Sequence, residues 1–374
     1  MTPDDVLAAV RAMAPTVAAR AAEGEAARRL PADLLAALRD AGCFRMSMPE
    51  SHGGLGADLA AISGVLEALA RADASTAWTV MIGGNAWIDL AALPRAVFDK
   101  VFDRPDVVVA GVFAPSGSIT PSDGGFRVSG RWAFASGCEH ADVLYGNCVD
   151  DVGELRIALL SPDDVVIEDT WTAAGLCATG SHHFRVTDRE VAADHTLSLF
   201  TDHPCLDAPI LRIPPPTLLP QLIATVAVGS AQGAVDDLLA LAATKVPLLD
   251  AAPLAADPVF QVDLAEADTD LRAARALLSA TADELWAGAV AGQPLTLPLR
   301  ARARATGVWV TTRAAAVVTA AHRAAGSTAV YAASPLHRRL RDVHTLTQHF
   351  LVKRATLTTA GAVLAGRDVA VPIF

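Results

Sequence analysis

Positively charged residues are scarce in this 374-residue chain, which has 30 lysines and arginines against 41 aspartates and glutamates and a net charge of −11. Nucleic acids and anionic membranes bind basic surfaces, so neither is expected as a partner. Long hydrophobic segments are also missing. The most apolar stretch, residues 222–235, contains Gly229, Ser230, Gln232 and Gly233. It is too short to span a bilayer and predicts a buried helix.

Cysteine is sparse as well, and its five positions form no CxxC pair: Cys43, Cys138, Cys148, Cys177 and Cys205. An odd number of scattered cysteines predicts reduced thiols, as in a cytoplasmic protein. Residues 1–15 lack the basic segment followed by an apolar core that a secretory signal requires. We therefore expect a cytoplasmic location.

Two common kinds of ligand site are not indicated. No GxGxxG or P-loop motif follows a β-like segment, so a nicotinamide site of the Rossmann type is unsupported. The sequences Cys138-Glu139-His140 and His182-His183 could suggest a metal. Adjacent residues on a strand point to opposite faces, so neither chelates well and we predict no metal site.

Alternating patterns of apolar residues divide the chain into three parts. Residues 1–106 have helical spacing, with Asp73 and Ser75 as possible helix caps, and are predicted to form an N-terminal helical domain. Residues 107–206 carry short β-branched segments separated by turns, which predict an antiparallel β domain. Residues 207–374 return to helical spacing in four long segments, which predict a C-terminal four-helix bundle. The fold class is thus mainly α with a central β domain.

Four segments resemble the acyl-CoA dehydrogenase superfamily, in this order along the chain: MPESHGGLGADL, GRWAFASGCEHAD, GLCATGSHHFRVTDREV and RAAGSTAVYAASPLHRRLRDVHTLTQHF. Together the likeness covers about residue 30 to the end. Within the superfamily, FASGCEHAD, GLCATGS and AGSTAVYAASPLHRRLRD are most similar to two-component flavin-dependent monooxygenases of the aromatic hydroxylase and thiophene-sulfur oxygenase type. The resemblance implies the same three-part fold.

The resemblance also shows what this chain lacks. A dehydrogenase needs a carboxylate base to remove a proton next to a thioester. One family position for that base lies eight residues after Asp342 and holds Phe350 here. The other lies on the first bundle helix, where Gln221 and Leu222 stand. Simple dehydrogenation is therefore disfavoured.

The family implies roles for several flavin-side residues. Ser136 corresponds to a hydroxyl beside flavin N5, Phe134 to the aromatic residue behind the ring, and Ser181 to a residue that binds flavin or shapes the pocket. His349 matches a histidine that lies over the flavin. His349 follows Asp342 by seven residues, which is about two helical turns, so the two side chains are expected on the same helix face.

Further binding residues are expected from the same family resemblance or from their place in the sequence. Lys245 and the turn Gly326-Ser327-Thr328 are candidates for flavin phosphate contacts. Phe113 and Phe350 are predicted to line the substrate site. Phenol-hydroxylating relatives tend to carry a histidine where this chain has Asn85. Asparagine can hydrogen-bond substrate but cannot act as a base, which argues against a plain phenol.

The sequence predicts a flavin-dependent monooxygenase that uses O2 and reduced FMN or FAD from a separate reductase. Its expected substrate is a small, cyclic organic molecule, its catalytic residues are Ser136 and His349, and the resemblance implies a homotetramer. Two alternatives remain open: an acyl-CoA dehydrogenase or oxidase without the usual glutamate, and a silent family member that binds only a partner. Trp78 and Trp87 are interpreted as core residues.

Overall fold

Helices form the N-terminal part of the computed structural model, which describes residues 1–198 and 201–369. Carboxylate caps determine where two of them begin, because Asp58 accepts from the Ala61 N–H and Asp73 from the Thr76 N–H. The second cap confirms the helix start expected at Asp73. The helices are α1 (Pro3–Ala27), α2 (Ala32–Asp40), α3 (Leu59–Ala72), α4 (Ala74–Asn85) and α5 (Arg95–Val101).

A seven-stranded sheet follows. Its strands are β1 (Val109–Ser122), β2 (Gly125–Trp132), β3 (Val143–Val149), β4 (Leu155–Leu160), β5 (Val166–Glu168), β6 (His183–Ala192) and β7 (Thr196–Ser198). The order across the sheet is β5-β6-β2-β1-β3-β4-β7. Trp132 and Phe184 stack at 5.0 Å between ring centroids in the core of the sheet.

The sheet is mixed rather than wholly antiparallel as predicted. Strands β1 and β3 run parallel, while every other described pair is antiparallel. The reason is the connection 133–142, which carries the chain from β2 on one side of β1 to β3 on the other. A register shift between Val112 and Gly117 leaves residues 113–116 unpaired with β3.

Helices return at Pro215 and pack as a bundle. They are α6 (Pro215–Ala242), α7 (Pro258–Val290), α8 (Leu297–Ala324), α9 (Pro335–Leu346) and α10 (Leu357–Leu364). The predicted fourth long helix is wrong in detail, because the chain turns after Leu346 and forms two short 3-10 segments before α10. The domain limits at 106 and 206 fall between elements and stay a prediction.

Helix α6 is the central element of the bundle, as expected for the apolar stretch 222–235. By length and composition it could cross a membrane, but 89% of its most apolar window is buried inside the protein. It packs closely on α3 at Gly229, where a Cβ would come within 2.5 Å of the Glu67 carbonyl oxygen. All five cysteines are free thiols.

Candidate active site

A cavity of about 600 Å³ lies where α4, the sheet, α6 and the segment after α9 meet. Its wall is mostly apolar, which suits an organic ligand. Seven of the predicted site residues line it: Asn85, Phe113, Phe134, Ser136, Ser181, His349 and Phe350. The fold thus brings together residues from all three parts of the sequence.

A row of hydrogen bonds connects one side of the cavity to the backbone. The Trp78 indole Nε1 donates to Ser136 Oγ at 3.0 Å, and Ser136 Oγ lies 2.8 Å from Ser181 Oγ. Ser181 Oγ is 2.7 Å from Thr179 Oγ1, which donates to the Leu176 carbonyl oxygen at 2.7 Å. Trp78 is buried as expected, but it also lines the cavity, so interpreting it only as core was wrong.

The direction of these bonds is determined at both ends. A carbonyl can only accept, so the Thr179 proton goes to Leu176 and Thr179 Oγ1 must accept from Ser181. Ser181 then has no proton for Ser136 and accepts from it. Since an indole N–H can only donate, Ser136 Oγ accepts from Trp78. The Ser136 proton is therefore committed to Ser181, and the remaining capacity of its oxygen is that of an acceptor.

The loop that holds Ser136 is strained at Phe134. Phe134 has φ +67°, a left-handed conformation that non-glycine residues rarely adopt. Its ring is 68% exposed and touches Trp171 and His183 only edge-on, at 6.2 and 5.8 Å. A strained backbone that presents an aromatic ring to a cavity points to ligand binding rather than core packing.

His349 lies on the opposite wall. Its imidazole packs edge-on against Trp78 at 5.7 Å, and its Nδ1 accepts from the Leu351 N–H at 3.4 Å. Burial, and then the charge of Lys353, lower the pKa of His349 to about 4. The ring is thus neutral at pH 7 with its proton on Nε2, which has no partner among residues 1–198 and 201–369.

Asp342 and His349 do not share a helix face, contrary to the sequence-based expectation. Helix α9 ends at Leu346, so His349 stands after the helix as the cap of a 3-10 turn. Asp342 instead accepts from the Leu176 N–H at 2.7 Å. Burial, together with the charge of Asp73, raises the pKa of Asp342 to about 7. Its role is to fix the segment that carries Leu176.

Two polar residues on the cavity wall, Asp89 and Tyr145, were not expected from the sequence. The Tyr145 hydroxyl donates to Asp89 Oδ2 at 2.6 Å. Burial raises the pKa of Asp89 to about 6, although the bond from Tyr145 lowers it in part. The available signal was a lone acid inside the apolar run AWIDLAAL. Nothing local in the sequence indicated Tyr145.

The family positions of the dehydrogenase base hold no carboxyl group here. Leu222 and Phe350 both line the cavity. Gln221 is buried, and its Nε2 donates to the Ala303 carbonyl oxygen at 2.7 Å. Within the described part of the chain, Asp89 is the one carboxyl on the cavity wall.

Gly326 and Ser327 lie apart from the cavity. They stand on an exposed turn after α8, where Gly326 has φ +59° and Lys245 Nζ donates to the Ala325 carbonyl oxygen. A single chain does not bring this turn to the residues around Ser136. Flavin phosphate binding at this turn stays a prediction.

The cavity fits a flavin ring: it has an exposed aromatic face at Phe134, a hydroxyl acceptor at Ser136 and a neutral imidazole at His349. Residues 4–92 match the family Acyl-CoA dehydrogenase, N-terminal domain, and residues 221–354 match Acyl-CoA dehydrogenase, C-terminal domain. Indole-3-acetate monooxygenase of Pseudomonas putida is 32% identical over 355 residues, covering 94% of this chain and 91% of that protein.

A second relative is the flavin-dependent monooxygenase oxygenase subunit HsaA of Rhodococcus jostii RHA1, which is 34% identical over 347 residues, covering 89% of this chain and 91% of that protein. The chain belongs to the flavin-dependent monooxygenases of the acyl-CoA dehydrogenase family. Among solved structures, the 3-HSA hydroxylase of Rhodococcus sp. RHA1 aligns with a TM-score of 0.91 at 30% identity over 99% of each chain. These findings confirm the resemblance, the fold class and an oxidoreductase that uses a reduced flavin.

Proposed function

We propose that this monooxygenase receives reduced FMN or FAD from a separate reductase and oxygenates a small cyclic substrate in the cavity. The relative named an oxygenase subunit supports a reductase on another chain. The observation that carries the assignment is the one-way hydrogen-bond row from Trp78 to Leu176, because it makes Ser136 an acceptor at the cavity.

Reduced flavin supplies the two electrons that let O2 place one oxygen atom in the substrate and leave the other as water. Ser136 Oγ would hold the N5–H that only the reduced ring carries, because its own proton is committed to Ser181. Phe134 would cover one ring face. The row therefore favours reduced over oxidised flavin, as a two-component enzyme requires.

His349 is proposed to act as a hydrogen-bond donor. Its low pKa keeps the ring neutral, and the Leu351 N–H occupies Nδ1, so Nε2–H is the group left for oxygen or substrate. The apolar wall formed by residues such as Leu218, Leu222 and Phe350 excludes water. Dry surroundings favour oxygen transfer over loss of peroxide to solvent.

The proposal is tested by the share of reduced flavin that ends as hydrogen peroxide. Ser136→Ala and His349→Ala are expected to raise that share several-fold, with turnover of an accepted ring substrate falling in parallel. Two exposed residues without described partners provide matched controls, Ser279→Ala and His203→Ala. Unchanged coupling in both site variants contradicts the assigned roles. Oxidation of a CoA thioester by the wild type would favour the acyl-CoA alternative.

Assembly and location are also proposed. A homotetramer accords with the family, and a cytoplasmic location accords with the free thiols. The exposed Gly326-Ser327 turn, beside Lys245, is proposed as a flavin phosphate contact. Light scattering tests the tetramer. Ser327→Ala should weaken FAD binding while leaving an isoalloxazine without phosphate unaffected.

A further inference from the structure

A second polar group of residues lies on the cavity wall, and the roles proposed above leave it unused. Asp89 follows α4 in a 3-10 turn, and its Oδ2 is bonded to the Tyr145 hydroxyl. Its Oδ1 has no hydrogen-bond partner, and no Lys or Arg forms an ion pair with it, among the residues described. The cation on the described wall, Lys353, lies beside His349 instead. Asp89 is thus a partly buried carboxyl without a counter-ion.

Asn85 adds a second unmatched acceptor. Its Nδ2 lies 2.8 Å from the Met81 carbonyl oxygen, which can only accept, so the amide orientation is determined. The Oδ1 atom is consequently the free one, and it is buried with no partner in the described chain. A buried acceptor left without a donor is costly, so a ligand that brings one gains binding energy there.

Tyr145 occupies a space that the fold provides for it. A Cβ on Gly111 would lie 2.0 Å from the Tyr145 ring, so only glycine at that position of β1 leaves room for it. The tyrosine proton is donated to Asp89, and one of the two Asn85 amide protons is donated to the Met81 carbonyl oxygen. Among the residues described, this end of the cavity therefore presents two acceptor oxygens without a donor, Asp89 Oδ1 and Asn85 Oδ1.

A ligand that complements this end of the cavity must supply hydrogen-bond donors. An ammonium or ring N–H supplies donors to both free oxygens, and an ammonium also neutralises Asp89 through a charge-assisted bond. A carboxylate supplies no donor and is repelled. Trp78 and Asn85 are seven residues apart on α4, or about 10 Å along its axis. A bicyclic ring with a short side chain can span from the Ser136 side to Asp89.

We propose that Asp89 and Asn85 bind a nitrogen of the substrate, with Tyr145 holding the Asp89 carboxylate in place, so the substrate class is a ring compound that bears an amine. The inference rests on the proposed function only in taking the occupant of the cavity to be the substrate. It separates this enzyme from relatives whose printed substrate is an acid, such as indole-3-acetate monooxygenase.

Three probes with one ring system test the inference: tryptamine, indole and indole-3-acetate. Binding to the full chain is measured by calorimetry with and without flavin. The pH is 8, at which Asp89 is ionised. The wild type is expected to bind tryptamine at least about tenfold more tightly than indole-3-acetate, as a charge-assisted bond provides. If the wild type binds indole-3-acetate as tightly as tryptamine or more tightly, the proposal is overturned. Because this comparison uses the wild type alone, it tests the proposal even if a variant fails to fold.

Variants then assign the preference to residues. Asp89→Asn should reduce the tryptamine preference to less than about threefold, and Tyr145→Phe should retain it because the carboxylate remains. Asp123→Asn, on the exposed β1–β2 turn, is the matched control and should bind all probes like the wild type. A tryptamine preference that persists in Asp89→Asn overturns the assignment.

The same protein samples separate this inference from the proposed function. If amines bind preferentially but no ring compound is oxygenated with reduced flavin, the nitrogen site stands and the monooxygenase roles of Ser136 and His349 fail. If acids are bound and oxygenated instead, the proposed function stands and the nitrogen site fails.

Discussion

Thr179 is expected to control which redox form of the flavin binds, although it does not line the cavity. It accepts the Ser181 proton, and that bond keeps the Ser136 proton pointed away from the cavity. In Thr179→Val, Ser181 loses its acceptor and can donate to Ser136 instead. The Ser136 proton then becomes available to the unprotonated N5 of oxidised flavin. The variant should therefore lose preference for the reduced form.

The size of the effect follows from one reoriented hydrogen bond. A neutral hydrogen bond contributes about 1 kcal/mol net, so the ratio of the oxidised to the reduced Kd should fall about fivefold. For a two-electron couple this lowers the potential of the bound flavin by about 20 mV. The Leu176 carbonyl retains the Trp171 indole as a donor at 3.0 Å, so the fold should tolerate the change.

The assay is an anaerobic titration of both flavin forms, combined with a spectroscopic redox titration of the bound flavin. Thr311→Val is the matched control, because Thr311 is equally buried and its hydroxyl has no partner in the described residues. It should change neither Kd. If the ratio of the oxidised to the reduced flavin Kd stays constant or rises in Thr179→Val, the assigned direction of the hydrogen bonds from Trp78 to Leu176 is refuted.

Three further outcomes are expected. First, the folded pKa of His349 is lowered to about 4 from an ordinary 6.5, so its contribution to stability is present above pH 6.5 and is lost as the pH falls. Urea unfolding at pH 7.5 and pH 5 should show a loss of about 2 kcal/mol in the wild type relative to His349→Gln; equal pH dependence contradicts this. Second, the pKa of Asp342 is raised to about 7 from 3.8, so the wild type loses stability as the pH rises between these values. Asp342→Asn, whose amide oxygen still accepts from Leu176, should gain stability over the wild type from pH 5 to pH 8 in thermal unfolding, and a relative decline would count against the buried charge. Third, Gly111→Ala should cost about 1–3 kcal/mol in urea unfolding because its Cβ overlaps the Tyr145 ring. Gly361→Ala, with open space around it in α10, should not destabilise, and equal losses in the two would contradict the clash.

Sequence patterns were sufficient for the helices and for most of the sheet, because these depend on local spacing. The Asp73 cap and the buried stretch 222–235 could be read directly. The parallel β1–β3 pair could not, since a short β-branched segment has no signature for the direction of its neighbour. The end of α9 at Leu346 was also missed, because the run through His349 keeps helix-forming residues without Gly or Pro.

The site was predictable where a motif carried it. Ser136, Phe134 and His349 were found by resemblance, and the structure brings them to one cavity. What the residue types could not convey was proton direction, which depends on Thr179 and a backbone carbonyl. Asp89 and Tyr145 are 56 positions apart and meet only through the fold.

The crossing connection 133–142 has a consequence for how the protein folds. It holds the loop with Phe134 and Ser136 only after β2 and β3 have docked on opposite sides of β1. Parallel pairing is a long-range event that forms slowly compared with helices. Recovery of flavin binding during refolding should therefore lag behind recovery of helical circular dichroism, so that the cofactor reports completion of the sheet.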